Sequence, residues 1–327
     1  MLKAKSPDDK EKRLKLFVYG APGIGKTLGV VQFPNAYIID TERGTDFYGN
    51  TIRKNGSVVF QSANPDDIKE ELRSLLIEKH QYKTLVIDPI TQVYNAVQEK
   101  WTRVFEKHAK TEKEAEVQDF GMRYWGRVKS DFKSIQRLLM ALDMNVLITS
   151  HQKDIYGTGM TKIGVGPDTM KGDEYIFDLV FHLQDKNGKR IAQTIKERAE
   201  IESPKFPAEF EWNYQNFLNF YGKEIIEREA KPVEMATPEH VRIVKALVEA
   251  LRVEDTTIAK WFQKADVDAW EEMNLETIVK CIAALRAKVP AVAQEPEPAS
   301  SGYASAYPAV KDNEKEKSKK EPIKGKK

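Results

Sequence analysis

Cysteine is almost absent: Cys281 is the single thiol in 327 residues. It can build neither a disulfide framework nor a Cys-based zinc site, which fits a reducing cytoplasm. Long apolar runs are absent as well. No stretch approaches the roughly 20 apolar residues of a membrane span. The lysine-rich start, Met1 to Lys15, has no apolar segment of the kind a secretory signal needs. The chain is therefore expected to be soluble and cytoplasmic, with no membrane partner. An excess of one charge is lacking too: 52 Lys and Arg against 50 Asp and Glu leave +2. Whole-chain charge argues neither for nor against nucleic acid, so any such surface must be local. There are no convincing internal repeats.

Hydrophobic residues make up 41% of the chain. That is enough for one α/β domain with a sizeable core and a smaller module beside it. The chain is organised around Gly20, Ala21, Pro22, Gly23, Ile24, Gly25, Lys26 and Thr27, which fit the phosphate-binding P-loop G-x-x-x-x-G-K-[ST]. A short apolar strand, Leu14 to Tyr19, precedes it, and Leu28 to Val31 can continue a helix. Glycines let the backbone curl so that successive N–H groups point at phosphate oxygens. The helix N-terminus adds partial positive charge. Lys26 would reach the β- and γ-phosphates of ATP, Thr27 would hold Mg²⁺, and Leu28 follows at the start of the helix.

Further apolar runs predict strands at 36–40, 58–60, 84–88 and 145–150. The run at 84–88 ends in Asp88. A buried parallel strand that delivers a carboxylate beside a P-loop can orient Mg²⁺ or its water. Asn64 and Pro65 supply an N-cap and an N1 proline for a helix to about His80. Two more helices are expected at 91–110 and 120–142, with an exposed charged segment, Thr111–Glu116, between them. Arg123 and Arg127 are interleaved with Tyr124 and Trp125, which suits a nucleic-acid backbone with stacked bases or, for the aromatics, simple core packing. The segment 153–173 carries five glycines with Lys153, Lys162 and Lys171. It reads as a long flexible basic loop at the nucleotide edge, either a DNA-binding loop or an insertion without a role. Asn187-Gly188 predicts a hairpin between 179–183 and 191–195.

The expected organisation is a flexible lead-in at 1–13, an ATPase core at 14–222 and a linker at 223–236. A small three-helix module at 237–289 and a disordered tail at 290–327 complete it. The expected fold class is α/β, with a mainly parallel central sheet.

In the order of these pieces the sequence resembles a RecA-like P-loop ATPase of bacteriophage type, similar to the short RecA-core recombinases that anneal single strands. The resemblance covers about residues 14–222. Tyr37 to Glu42 resembles the strand that ends in the catalytic glutamate, which makes Glu42 the general base. Leu85 to Asp88 matches the Mg²⁺ strand. Ile148 to Gln152 is similar to the strand whose terminal polar residue senses the γ-phosphate, here His151 or Gln152. The region from Gln118 to Arg127 falls where the first DNA loop should be. Lys196 and Arg198 resemble the basic pair inserted across a subunit interface. The resemblance implies an ATP- and Mg²⁺-dependent recombinase on single-stranded DNA, homo-oligomeric with ATP at subunit interfaces, in a phage-infected or prophage-carrying bacterium. The small module would meet a single-strand-binding protein or another partner. A helicase, a helicase loader and a nucleotide-switched scaffold are the rival readings.

Overall fold

The computed structural model describes residues 13–109, 120–198, 206–231, 234–265, 267 and 269–288, with no account of the side chains of 108, 109 and 120–122. The lead-in before residue 13, the segment Thr111–Glu116, Gln118 and the tail from residue 290 lie outside the described residues. The core elements are β1 (Lys15–Gly20), α1 (Lys26–Val30), β2 (Ala36–Asp40), α2 (Gly49–Lys54), β3 (Val58–Gln61), α3 (Pro65–Ile77) and β4 (Thr84–Asp88). They continue with α4 (Ile90–Ala109), α5 (Phe120–Ala141), β5 (Asn145–Tyr156), β6 (Lys162–Pro167), β7 (Leu179–Lys186) and β8 (Lys189–Glu197). Last come β9 (Glu209–Glu211), α6 (Tyr214–Tyr221) and α7 (Lys223–Glu227).

The main sheet runs in the order β3-β2-β4-β5-β1-β7-β8-β9. Pairing is parallel from β3 to β7, and antiparallel for β8 and β9. Buried strands of this kind have no polar face, because both sides are covered. The period of two divides them cleanly. Phe17, Tyr19, Ile39, Ile87 and Ile148 pack with Leu72 of α3, Val93 of α4 and Phe132 of α5. Leu16, Val18, Ile38 and Leu147 pack on the other face with Val30 of α1, Ile52 of α2, Phe217 of α6 and Ile226 of α7. The result is a three-layer α/β core around a mainly parallel sheet, the fold class that the sequence predicts.

The local signals explain the helix starts. Asn64 accepts the Asp66 N–H at 3.0 Å, and Pro65 sits at N1. The hairpin between β7 and β8 turns at Asn187 (φ 58°) and Gly188 (φ 77°), the double left-handed step that Asn-Gly permits. Gly29 of α1 lies under the Trp212 ring: a Cβ there would fall 2.1 Å from the indole Nε1. Only glycine lets α1 and that ring approach so closely.

Three expectations change. The segment 153–173 is not a flexible loop. β5 continues through His151 and Gln152 to Tyr156 and pairs antiparallel with β6, forming an arm that projects from the sheet. Two of its glycines sit under side chains of the arm: a Cβ on Gly166 would fall 2.9 Å from Ile155 Cδ1, and one on Gly157 2.9 Å from Ile163 Cγ2. Residues 120–127, expected in a DNA loop, are the first turns of α5. The stretch read as a linker from residue 223 begins as part of the core. Ile226 is fully buried and its carbonyl accepts from Asn145 Nδ2 at 2.8 Å, while Arg13 donates to Arg228 O at 2.8 Å. Charge alone suggested a solvated stretch, and one buried isoleucine overrides it.

Beyond it, α8 (Pro238–Ala250), α9 (Asp255–Ala265) and α10 (Leu275–Arg286) close around Val244, Trp270, Ile278 and Leu285. Thr237 caps α8, with Pro238 at N1. Glu272 joins this cluster to the core through Arg73 at 2.9 Å and Arg137 at 4.0 Å.

The root of the arm holds a buried carboxylate. Asp173 accepts from Thr169 Oγ1 at 2.8 Å and from Gln136 Nε2 of α5. Burial pushes its pKa up to about 6, although those two donors pull it down. The sign follows from linkage. The folded chain holds this proton more tightly than the unfolded chain does. Stability from this group is thus fully present below about pH 4, and is lost as pH rises towards 6. Asp173→Asn is expected to gain about 1–3 kcal/mol relative to wild type when unfolding at pH 7.5 is compared with unfolding at pH 4. Denaturant titration at the two pH values checks it, and a gap that stays constant with pH would contradict it.

Candidate active site

The nucleotide edge is built at the carboxyl ends of β1, β2, β4 and β5, where open α/β sheets place ligands. β1 runs straight into the P-loop. Gly23 (φ 73°) and Gly25 (φ 93°) take left-handed steps that fold the loop back over the start of α1. Lys26 Nζ donates to Gly20 O at 2.8 Å and Ala21 O at 2.9 Å, so the lysine spans the mouth of its own loop. Burial lowers its pKa, while Asp88 and Glu42 pull it back up.

Register sets two carboxylates side by side. Asp40 and Asp88 are paired positions on β2 and β4. Both are buried, at 1% and 3% exposure. Asp88 is held by the hydroxyls of Thr149 on β5 and Thr27 in the P-loop; burial raises its pKa, and both hydroxyls oppose that. Asp40 turns the chain. Its Oδ1 accepts the N–H groups of Glu42 and Gly44, each at 3.2 Å, and its Oδ2 accepts that of Thr45 at 3.0 Å. Thr41 ties the same turn to β4 through Pro89 O at 2.8 Å. Glu42 is carried on this clamped turn to the mouth of the site.

Two more side chains hold Glu42. Gln92, one turn into α4, donates to its Oε1 at 2.5 Å, and His151 Nε2 lies 3.2 Å from its Oε2. The His151 N–H in turn donates to Thr91 Oγ1 at 3.0 Å. A cavity of about 200 Å³ brings together Lys26, Thr27, Glu42, Asp88 and His151. The residues fit a nucleotide with Mg²⁺: a cradle of left-handed glycines, one cation, and a hydroxyl against a buried carboxylate. Mg²⁺ bound there would neutralise phosphate charge between Thr27 and Asp88.

The other sequence candidates are placed as follows. Gln152 points away from Glu42, its Oε1 3.2 Å from His182 Nε2. The His182 ring stacks on Tyr19 at 4.6 Å and meets Gln184 at 3.0 Å. Burial lowers the pKa of His182. Lys196 and Arg198 lie at the opposite edge of the sheet from the P-loop, because Leu179, opposite Glu197, is at the Leu16 end of β1. Lys196 Nζ donates to Glu174 O, Tyr175 O and Phe177 O at 3.3, 2.8 and 2.7 Å, which uses all three of its donors. Arg198 pairs with Asp178 at 3.1 Å. On the arm, Lys153 pairs with Asp168 at 3.3 Å and Lys162 with Asp154 at 2.7 Å, while Lys171 is exposed beside its root. Arg127 lies over the Trp101 ring at 5.8 Å, and Arg123 is exposed on α5. Tyr124 packs against the core, whereas Trp125 is 44% exposed, which rules out the core reading for that ring.

Sequence reasoning missed Asp40, Gln92 and Thr149. Asp40 had a signal, an aspartate at a strand end before Glu42, Gly44 and Thr45, the pattern of a side chain that caps its own turn. Gln92 and Thr149 had none, since only tertiary packing brings them to Glu42 and Asp88.

Among solved structures, the crystal structure of the RadB recombinase is similar at 15% identity, with a TM-score of 0.33, covering 67% of this chain and 91% of that one. No curated protein matches the chain. The family model of the AAA domain matches residues 12–200, more than half of the chain and the whole of the site just described. The chain belongs to the AAA-domain family, and its P-loop makes it an ATPase.

Proposed function

We propose that this ATPase is a single-stranded-DNA-binding recombinase that pairs or anneals strands, hydrolysing ATP with Mg²⁺. The observation that carries the proposal is the continuity of β5. One strand runs from Asp88's partner Thr149, past His151 and Gln152, into an arm with exposed Ile155, Tyr156, Met160 and Ile163. Apolar and aromatic side chains of this kind, next to Lys153, Lys162 and Lys171, suit unstacked bases on a phosphate backbone.

In this reading Glu42 is the general base that takes a proton from the attacking water. His151 holds Glu42 and also begins the arm, so a shift of β5 on DNA binding alters the hold on the base. His151 shares the cavity of Lys26 and Thr27, and Gln152 a second cavity with Ala21, Pro22 and Gly23, so the γ-phosphate sensor is one of these two. Coupling of this kind requires that DNA and nucleotide each prefer one of two arrangements. Lys196 and Arg198 are far from their own P-loop, so any phosphate they meet belongs to another protomer. Arg198 is the better candidate, since the donors of Lys196 are spent on the turn at 174–177. ATP would then sit at a subunit interface of a homo-oligomer. The helical cluster at 238–286 is left for a protein partner, a single-strand-binding protein among them.

Two outcomes follow. Glu42→Gln should lower steady-state ATP hydrolysis by about 100-fold or more while retaining nucleotide binding, whereas Lys26→Ala should lose both. Equal loss of binding in the two variants would contradict a base role for Glu42. Fluorescence anisotropy with a labelled oligonucleotide at fixed salt should show about 10-fold weaker binding for the pair Tyr156→Ala and Met160→Ala, since stacking on one base contributes about 1–3 kcal/mol. Binding should also weaken steeply with added salt. Wild-type affinity in that double variant would remove the arm from the DNA site.

A further inference from the structure

We propose that Arg190 is a second phosphate-binding cation of the ATP site, supplied in the same protomer by the β7–β8 hairpin. The register places it. Gly20, at the start of the P-loop, pairs with Leu183 on β7, and Leu183 pairs with Ala192 on β8. Arg190 pairs with Asp185, two positions beyond that level, above the carboxyl edge of the sheet. It shares the face of Ala192, whose side chain lies in the cluster under α1. Its side chain therefore points to the P-loop side.

Contact follows from that placement. A Cβ built on Gly25 would fall 2.7 Å from Arg190 Cδ, 2.8 Å from Nε and 3.4 Å from Cζ. The end of the Arg190 side chain thus lies beside the backbone of the residue before Lys26. Among the described residues its side chain has no hydrogen-bond or ion-pair partner, although it carries five N–H donors. Lys26, Lys196 and Arg198 all spend donors on the chain itself. An exposed arginine laid against a phosphate cradle with its donors unused is suited to a polyphosphate. Lys26 and Thr27 serve the β- and γ-phosphate end, and the cradle takes the α- and β-phosphates. Arg190 flanks the cradle, so its targets are the outer oxygens of the α- and β-phosphates. The proximity also gives Gly25 a second constraint besides its left-handed backbone, since any side chain there would displace the arginine.

The test is equilibrium binding of ADP and ATP to the full chain, by calorimetry or with a fluorescent ADP. Arg190→Ala is expected to weaken both nucleotides by about 10-fold or more, the scale of one charge-assisted hydrogen bond. Arg190→Lys keeps the charge and should recover most of that loss. Lys189→Ala, one residue earlier and on the opposite face of β8, removes the same charge and should keep wild-type affinity. Lys26→Ala abolishes binding in either case, so it reports on the P-loop and not on Arg190. Wild-type affinity in Arg190→Ala overturns the proposal. So does an Arg190→Lys variant as weak as the alanine, or an equal loss in Lys189→Ala, which would mark a bulk charge effect. Arg190 is exposed, so Arg190→Ala should keep the wild-type far-UV spectrum; if it does not, Arg190→Gln, shorter, polar and uncharged, repeats the test and is expected to bind as weakly as the alanine, wild-type affinity again overturning the proposal.

Discussion

The pairing of β2 with β4 is the constraint on which the nucleotide edge depends. It sets Asp40 opposite Asp88, two buried carboxylates on neighbouring strands. Neither can stay buried as a bare charge, because desolvation of an unpaired carboxylate is too costly. Each is satisfied in a different way, and the difference assigns their work. Asp40 spends its oxygens on the N–H groups of its own turn and becomes a structural clamp. Among the described residues Asp88 accepts from two hydroxyls, those of Thr27 and Thr149. It keeps lone pairs for a cation, and it connects the P-loop to β5. The clamp at Asp40 fixes where Glu42 emerges, and Gln92 and His151 fix where its carboxylate lies.

The same strand, β5, holds the rest together. Its first half is buried parallel sheet and carries Thr149 to Asp88. Its middle carries His151 to Glu42 and Gln152 to His182. Its end is an exposed antiparallel arm. In the proposed reading a shift of this strand would reach Glu42, the P-loop side and the arm together, because all three touch it. The polar chain from Gln152 through His182 and Gln184 to Gln193 runs from β5 through β7 to β8, the strand that also bears Arg190. Chemistry at the P-loop is thereby in contact with both hairpins of the sheet.

Much of this was legible in the residues. The strands at 36–40 and 84–88 begin and end where their apolar runs do, because a parallel strand buried on both faces admits no polar residue except at its ends. The P-loop, Asp88 and the turn at Asn187-Gly188 are local patterns with local causes. What the sequence hid depends on pairing across the chain. Glycine density made 153–173 look like a loop, yet β5 and β6 pair through it, with Gly157 and Gly166 lying under isoleucines of the arm. Lys153 and Lys162 looked like free cations and are paired, in exposed positions, with Asp168 and Asp154 across the arm. Lys196 looked like a finger and is bound to three carbonyls of a neighbouring turn. Arg190 was passed over because nothing near it in sequence marks it; only the β7–β8 register brings it to Gly25.

The proposed function stands or falls on the coupling of nucleotide chemistry to the arm of β5 through Glu42 and His151. Steady-state ATP hydrolysis, measured with and without single-stranded DNA at low and moderate salt, tests it most directly. Such coupling should give strong stimulation by single strands at low salt, less at moderate salt, and none in Lys26→Ala. ATP hydrolysis that is unchanged by single strands at either salt would contradict the coupling, and would leave the arm without a part in the reaction.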